Sequence, residues 1–222
     1  MKKTIHPPLY FNETQVSQTS SQKHLGIILD QKLTFEEHLK NVYTKTTKTL
    51  NLLRKLQNLL PRSALITLYK SFVRPHLDYG DIIYEESYNA SFHERLESIQ
   101  YNASLAITGA IKGTSKEKLY NELGLESLQY RRWYRKLCHF YKYYILKQPK
   151  YLFDIIPINP SNYSTRNTDK IPPFNVRHNF YKNSFFPSAV IEWNKLDPEI
   201  RNVDSFNIFK KSILSFIRPN EN

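Results

Sequence analysis

Four stretches of this chain repeat apolar side chains at helical spacing, each punctuated by Pro or Gly, and few architectures other than packed helices satisfy that pattern. In the first, Leu39, Val42, Thr46, Leu50, Leu53 and Leu60 trace one side of a helix. Thr34 is placed to N-cap it, Glu36 and Glu37 suit the dipole of its first turn, and Pro61 stops it. The second runs through residues 68–84, LYKSFVRPHLDYGDIIY, where Leu65, Tyr69 and Phe72 fall on one face. Pro75 lacks a backbone N–H and disfavours helix at Arg74, so an end or kink is expected there, and Gly80 permits a bend. In the third, Phe92, Leu96, Ile99, Ala103 and Ala106 follow the capping-box pattern of Ser91 and Glu94 and end at Gly109. A short helix from Ser115 to Gly124 leads to the fourth, from Leu128 to Lys147, with Trp133, Leu137, Phe140 and Tyr144 as core stripe and Arg131, Arg135 and Lys142 roughly opposite.

The flanks differ. Leu9-Tyr10-Phe11 and Gln15-Val16 bracket Asn12-Glu13, a hairpin pattern, and His24 to Leu29 reads as a further strand. So small a ribbon is marginal alone and has to pack on the helices. Residues 157–179 hold Pro157, Pro160, Pro172 and Pro173 among Asn, Ser and Thr and read as an irregular linker, with an extended piece near 175–180. Beyond it, Pro187 opens a helix to Leu196 with Val190 and Trp193 on one face. Asp204 or Ser205 caps a last helix with Phe206, Phe209, Ile213 and Phe216 or Ile217 inward. The expected fold class is mainly α: a helical bundle (34–156), a short N-terminal β-hairpin or sheet remnant (1–33), the linker (157–179) and a smaller C-terminal helical segment (180–222).

Charge narrows the function. A net +12 over 222 residues favours acidic partners, nucleic acid first among them. Only 5 glycines argue against a Gly-rich phosphate loop. The single cysteine, Cys138, allows no intrachain disulfide and fits a reducing compartment. No apolar run has the length of a membrane span and none resembles a signal peptide, so an intracellular protein with no membrane partner is expected. H-E-x-x-H, G-x-S-x-G and P-loop patterns are absent, and Cys138-His139 has no partner at zinc-site spacing. Asp78 and Asp81 read as a helix-end or turn pattern rather than a metal pair. Two binding candidates remain. Lys40, Thr44, Lys48, Asn51 and Lys55 align on one helix face that reads as free of acids. Arg131, Arg132, Arg135 and Lys136 interleave with Tyr130, Trp133 and Tyr134, a mixture that suits single-stranded RNA by stacking and charge. The same cluster can equally be a basic helix surface over an aromatic core stripe.

The segment LYKSFVRPHLDYG resembles part of the reverse transcriptases of non-LTR retrotransposons, the LINE-type elements of the jockey and CR1 kind. Four further segments resemble them in the same order: KHLGIILDQKLTFEEHL (23–39), RLESIQYNASLAITG (95–109), LGLESLQYRR (123–132) and SFFPSAVIEWNKL (184–196). The resemblance implies the region after the palm. Lys23, His24, Leu25 and Gly26 would be the primer grip that braces the primer end, followed by the helical thumb, whose first helix packs along the template-primer duplex. RNA template, RNA/DNA duplex and the missing palm and fingers are the implied partners, in a nuclear or cytoplasmic ribonucleoprotein. A polymerase needs carboxylates that hold metal ions, Mg2+ in this family, beside the primer end. The family takes them from palm motifs that include Asp-Asp, and this chain contains no Asp-Asp dipeptide. No catalytic residue and no cofactor are therefore expected in it, and the catalytic stretch is expected upstream of Met1, as in a truncated copy or partial gene. The alternative is a stand-alone helical module, derived from the polymerase, that binds nucleic acid or protein.

Overall fold

The computed structural model describes residues 7–84, 90–158 and 170–217. Two antiparallel hairpins come first. β1 (Leu9–Phe11) pairs with β2 (Thr14–Val16), Leu9 opposite Val16, across Asn12 and Glu13, whose φ angles of 44° and 65° give the hand of turn that suits twisted strands. β3 (Ser21–His24) pairs with β4 (Ile27–Asp30), Ser21 opposite Asp30. The run from His24 to Leu29, expected as one strand, folds back on itself at Leu25 and Gly26, whose φ angles are 45° and 86°. Gly26 supplies the left-handed turn position.

α1 (Glu36–Leu56) buries Leu39, Val42, Thr46, Leu50 and Leu53 as its period requires, and stops short of the expected end at Leu60. Its start differs from expectation too. The Asp30 carboxylate, at the end of β4, accepts the backbone N–H groups of Lys32 (3.0 Å), Thr34 (3.1 Å) and Phe35 (2.7 Å) and the Thr34 hydroxyl. The Thr34 hydroxyl, besides donating to Asp30, accepts the Glu36 N–H at a long 3.4 Å. Strand and helix are thus joined through one carboxylate. Burial raises the Asp30 pKa, these hydrogen bonds lower it, and the net shift is downward.

α2 (Arg62–Leu68) continues through a π-helical turn at Tyr69–Val73 into α3 (Arg74–Asp78), and α4 (Asp81–Tyr84) follows the bend at Gly80. The helix does not break at Pro75. The Arg74 N–H reaches five residues back to the Tyr69 carbonyl, and the widened turn absorbs the proline. The inward face changes as a result. Leu65, Tyr69, Val73 and Leu77 are buried, four residues apart each time, a spacing that drifts around a straight α-helix and that the π turn partly realigns. Phe72, expected on the inner face, is 58% exposed.

α5 (Ala90–Thr108) includes Ser91, so Ser91 is not the cap its spacing suggested. Gly109 ends the helix with φ 71°. α6 (Lys116–Leu123) is capped by the Ser115 hydroxyl and closed by left-handed Gly124. α7 (Leu128–Tyr144) is capped by Ser127. Three short pieces and two longer helices follow: α8 (Lys150–Phe153), α9 (Asn179–Lys182), α10 (Phe185–Lys195), α11 (Pro198–Arg201) and α12 (Phe206–Ile217), with α8, α9 and α11 each a single turn. The fold is mainly α with two small N-terminal hairpins.

The buried residues form two clusters. The first gathers β4, α1 to α6 and Leu128 around Leu39, Tyr69 and Leu96; the second gathers the C-terminal half of α7, α10 and α12 around Trp193. Trp193 sits 5.3 Å from Phe140 and 5.4 Å from Phe209, ring centre to ring centre. Part of the Pro-rich stretch joins the second cluster. Ile171 is buried there, and the Asn194 side chain both accepts its N–H (3.0 Å) and donates to its carbonyl (2.8 Å).

Candidate nucleic-acid interface

Because α1 turns its apolar stripe toward α5, its opposite side faces water. Lys40, Thr44, Lys48, Asn51 and Lys55 are all exposed and share that side. The face is not wholly free of acids. Glu36, one turn before Lys40, pairs with it at 2.6 Å, a residue that counting forward from Lys40 leaves out. Exposed pairs of this kind contribute at most about 1 kcal/mol, so a phosphate can displace Glu36 from Lys40. The Thr44 hydroxyl donates to its own helix at the Lys40 carbonyl, 2.9 Å away.

Beside this face lies an apolar groove of about 480 Å3 between α1 and the α2–π segment, lined by Lys48, Thr49, Leu52, Leu56, Leu68 and Phe72. Leu52 and Phe72 are 56% and 58% exposed. Leu52 was not singled out from the sequence, and Phe72 was expected on the inner face. Leu52 falls off the inward stripe by one residue, a signal that was available; the exposure of Phe72 depends on the π turn and was not.

Lys23, His24, Leu25 and Gly26 form the exposed tip of the β3–β4 hairpin. The tip rests on the segment after α3. The Tyr79 hydroxyl donates to the Leu25 carbonyl at 2.5 Å, and a Cβ on Gly26 would lie 3.2 Å from the Tyr79 ring. Turn geometry and Tyr79 therefore account for the glycine, and the outward side of Lys23 and His24 is what remains for a ligand.

The arginines of α7 lie elsewhere than a solvent-facing basic cluster requires. Arg131 and Arg132 are only 7% and 4% exposed, and Lys136 is buried as well. Asp78 holds Arg131 and, at 3.3 Å, Arg135, with Arg74 Nε at 3.4 Å. Asp81 binds Arg135 and lies 3.9 Å from Arg132 Nε, while Arg132 Nη1 meets His93 Nδ1 at 2.8 Å. Burial pushes the Asp81 carboxyl up, against the pull of Arg135 and Arg132. α7 packs against α4 as well as α10 and α12, so residues opposite its aromatic stripe are covered too, and the exposed basic cluster expected from the sequence does not form. Of the interleaved aromatics, Trp133 serves packing, its indole N–H donating to Glu192 at 3.0 Å. Nearby, the buried Tyr69 hydroxyl, its pKa pushed up by desolvation, donates to Gln100 Oε1 at 2.7 Å.

Among the described residues no group of three or more His, Cys, Asp or Glu side chains is arranged to hold a metal, and no helix is long and apolar enough to cross a membrane.

No protein-family profile matches the chain, and no solved structure matches it significantly. Two curated proteins of Drosophila melanogaster do. A probable RNA-directed DNA polymerase from transposon X-element is 30% identical over 132 residues, 58% of this chain and 14% of the relative. A probable RNA-directed DNA polymerase from transposon BS is 30% identical over 139 residues, 57% of this chain and 15% of the relative. The chain thus matches about one-seventh of the length of each relative, and over more than half of its own length it is similar to transposon RNA-directed DNA polymerases, that is, to reverse transcriptases.

Proposed function

We propose that this chain is the part of a transposon reverse transcriptase that grips the RNA template and the growing strand, without the part that joins nucleotides. The observation that carries the reading is the single exposed face of α1, on a chain similar to RNA-directed DNA polymerases. From Lys40 to Lys55 the face extends about 22 Å, several phosphate spacings along one strand. Lysine ammonium groups, Thr44 and Asn51 can follow phosphates and sugars without reading bases, as a polymerase that copies any template requires. Lys23 and His24 at the hairpin tip would brace the primer end. The absence of Asp-Asp from the chain supports holding without catalysis.

The test is the salt dependence of duplex binding. Replacing Lys40, Lys48 and Lys55 by alanine removes three cations, and each phosphate contact contributes about 0.7 to 0.9 to the slope of log K against log salt. The slope should become shallower by roughly 2 to 3 units for an RNA/DNA duplex, and an unchanged slope rejects this face. In parallel, the purified chain with template-primer, dNTPs and Mg2+ should incorporate no nucleotide; extension above a blank refutes the division of labour.

A further inference from the structure

Where the two buried clusters meet, a half-open cavity of about 420 Å3 is lined by Arg74 of α3, by Tyr130, Arg131, Tyr134 and Arg135 of α7, and by Leu214 of α12. Its volume falls within the range of about 300 to 1,000 Å3 typical of small-ligand sites. The hydrogen-bonding groups on its wall are unevenly matched. Arg74, Arg131 and Arg135 all converge on the one carboxylate of Asp78. Each guanidinium brings about five N–H donors, far more than two carboxylate oxygens accept. Arg135 has a second acceptor in Asp81, yet its Nε is buried with no hydrogen-bond partner among the described residues. Donor capacity therefore exceeds acceptor capacity beside an open space, and guanidinium forks match phosphate oxygens. The same cavity offers two tyrosine rings, suited to a flat heterocycle. Glu126 also lines it and adds an acceptor, which a base amino group can meet and a bare phosphate cannot.

We propose that this cavity binds one nucleotide unit, its phosphate on the Arg74, Arg131 and Arg135 side and its base against Tyr130 and Tyr134. In a polynucleotide, that unit is unstacked from its neighbours. The site rests on the nucleic-acid reading above only in the class of its ligand. It is separate from the α1 face, and it accounts for α7 arginines that the α1 face does not use.

Calorimetric titration of the whole chain with cytidine 5′-monophosphate, cytidine and inorganic phosphate tests it. The monophosphate should bind saturably, and each half of it should bind about tenfold more weakly or worse, since charge and ring contacts are both needed. Leu214→Trp fills the cavity and leaves every guanidinium in place, so it should abolish binding while the circular dichroism spectrum is retained. Arg74→Gln, at a side chain 38% exposed and thus tolerant of change, should weaken binding about tenfold. Lys40→Ala, Lys48→Ala and Lys55→Ala together should leave it unchanged. Equal affinity for phosphate and the monophosphate overturns the proposal, as does the absence of saturable binding. So does wild-type affinity in Arg74→Gln or in a folded Leu214→Trp. A failed duplex salt test with intact monophosphate binding would count against the α1 face alone.

Discussion

Replacing Asp78 by alanine removes the carboxylate on which Arg74, Arg131 and Arg135 converge and leaves those charges to the remaining structure. Deleting one partner of a buried pair costs about 3 to 5 kcal/mol, because the other charge stays desolvated. Two facts reduce that figure here. The Asp78 side chain is 22% exposed, and Arg135 keeps Asp81. Arg131, with a side chain only 8% exposed, bears most of the loss. An expected destabilisation of about 2 to 3 kcal/mol follows. For a chain of this size each kcal/mol lowers Tm by roughly 2 to 4 °C, so the midpoint should fall by about 4 to 12 °C. Urea unfolding followed by far-ultraviolet circular dichroism measures the free energy directly. Adding Arg131→Met to the variant should recover part of the loss, since the stranded charge is then gone. A loss below about 0.5 kcal/mol would put the pair with ordinary surface salt bridges and refute the claim that these charges hold α7 against α3 and α4.

Two further outcomes concern the seat of the β3–β4 hairpin and its junction with α1. Gly80→Ala should cost about 1 to 2 kcal/mol for the left-handed backbone alone. It should also displace Ile27, whose Cδ1 would lie 2.6 Å from the new Cβ; unchanged stability in urea unfolding would contradict the turn geometry. The Asp30 carboxyl has a lower pKa folded than unfolded, so its contribution is present above the unfolded pKa and is lost as pH falls through the folded one. Between about pH 5 and pH 2, wild type should therefore lose more stability than Asp30→Asn, and parallel pH profiles would show that the carboxylate does not hold the start of α1.

The parts of the fold legible in sequence are those governed by neighbours along the chain. Ser115 and Gly124 bound α6 because a hydroxyl cap and a left-handed glycine act within one turn. The stripe of α1 was readable for the same reason, and with it the outward side that makes the candidate site. The π turn was not. Pro75 states that an ordinary helical hydrogen bond is lost; whether the chain breaks or widens depends on what packs beneath, and here Tyr69, Val73 and Leu77 are all held in the core. Phe72 moved outward as a consequence and became part of the groove beside the basic face.

Periodicity also says nothing about a helix covered on two sides. Arg131 and Arg132 lie where a single-faced helix meets water, but α7 runs between two cores, and Asp78 and Asp81 from a distant segment neutralise them. The amino-acid sequence by itself determined that this protein is mainly α-helical, that α1 presents lysines on one face, and that the stretch resembles reverse transcriptases without their paired aspartates. Each of those follows from local spacing or from identity at aligned positions. Tertiary structure alone decided that the α7 arginines are buried, that a cavity opens where α3, α7 and α12 meet, and that Phe72 faces out, because burial and charge pairing depend on segments some fifty residues apart, whose meeting no local pattern records.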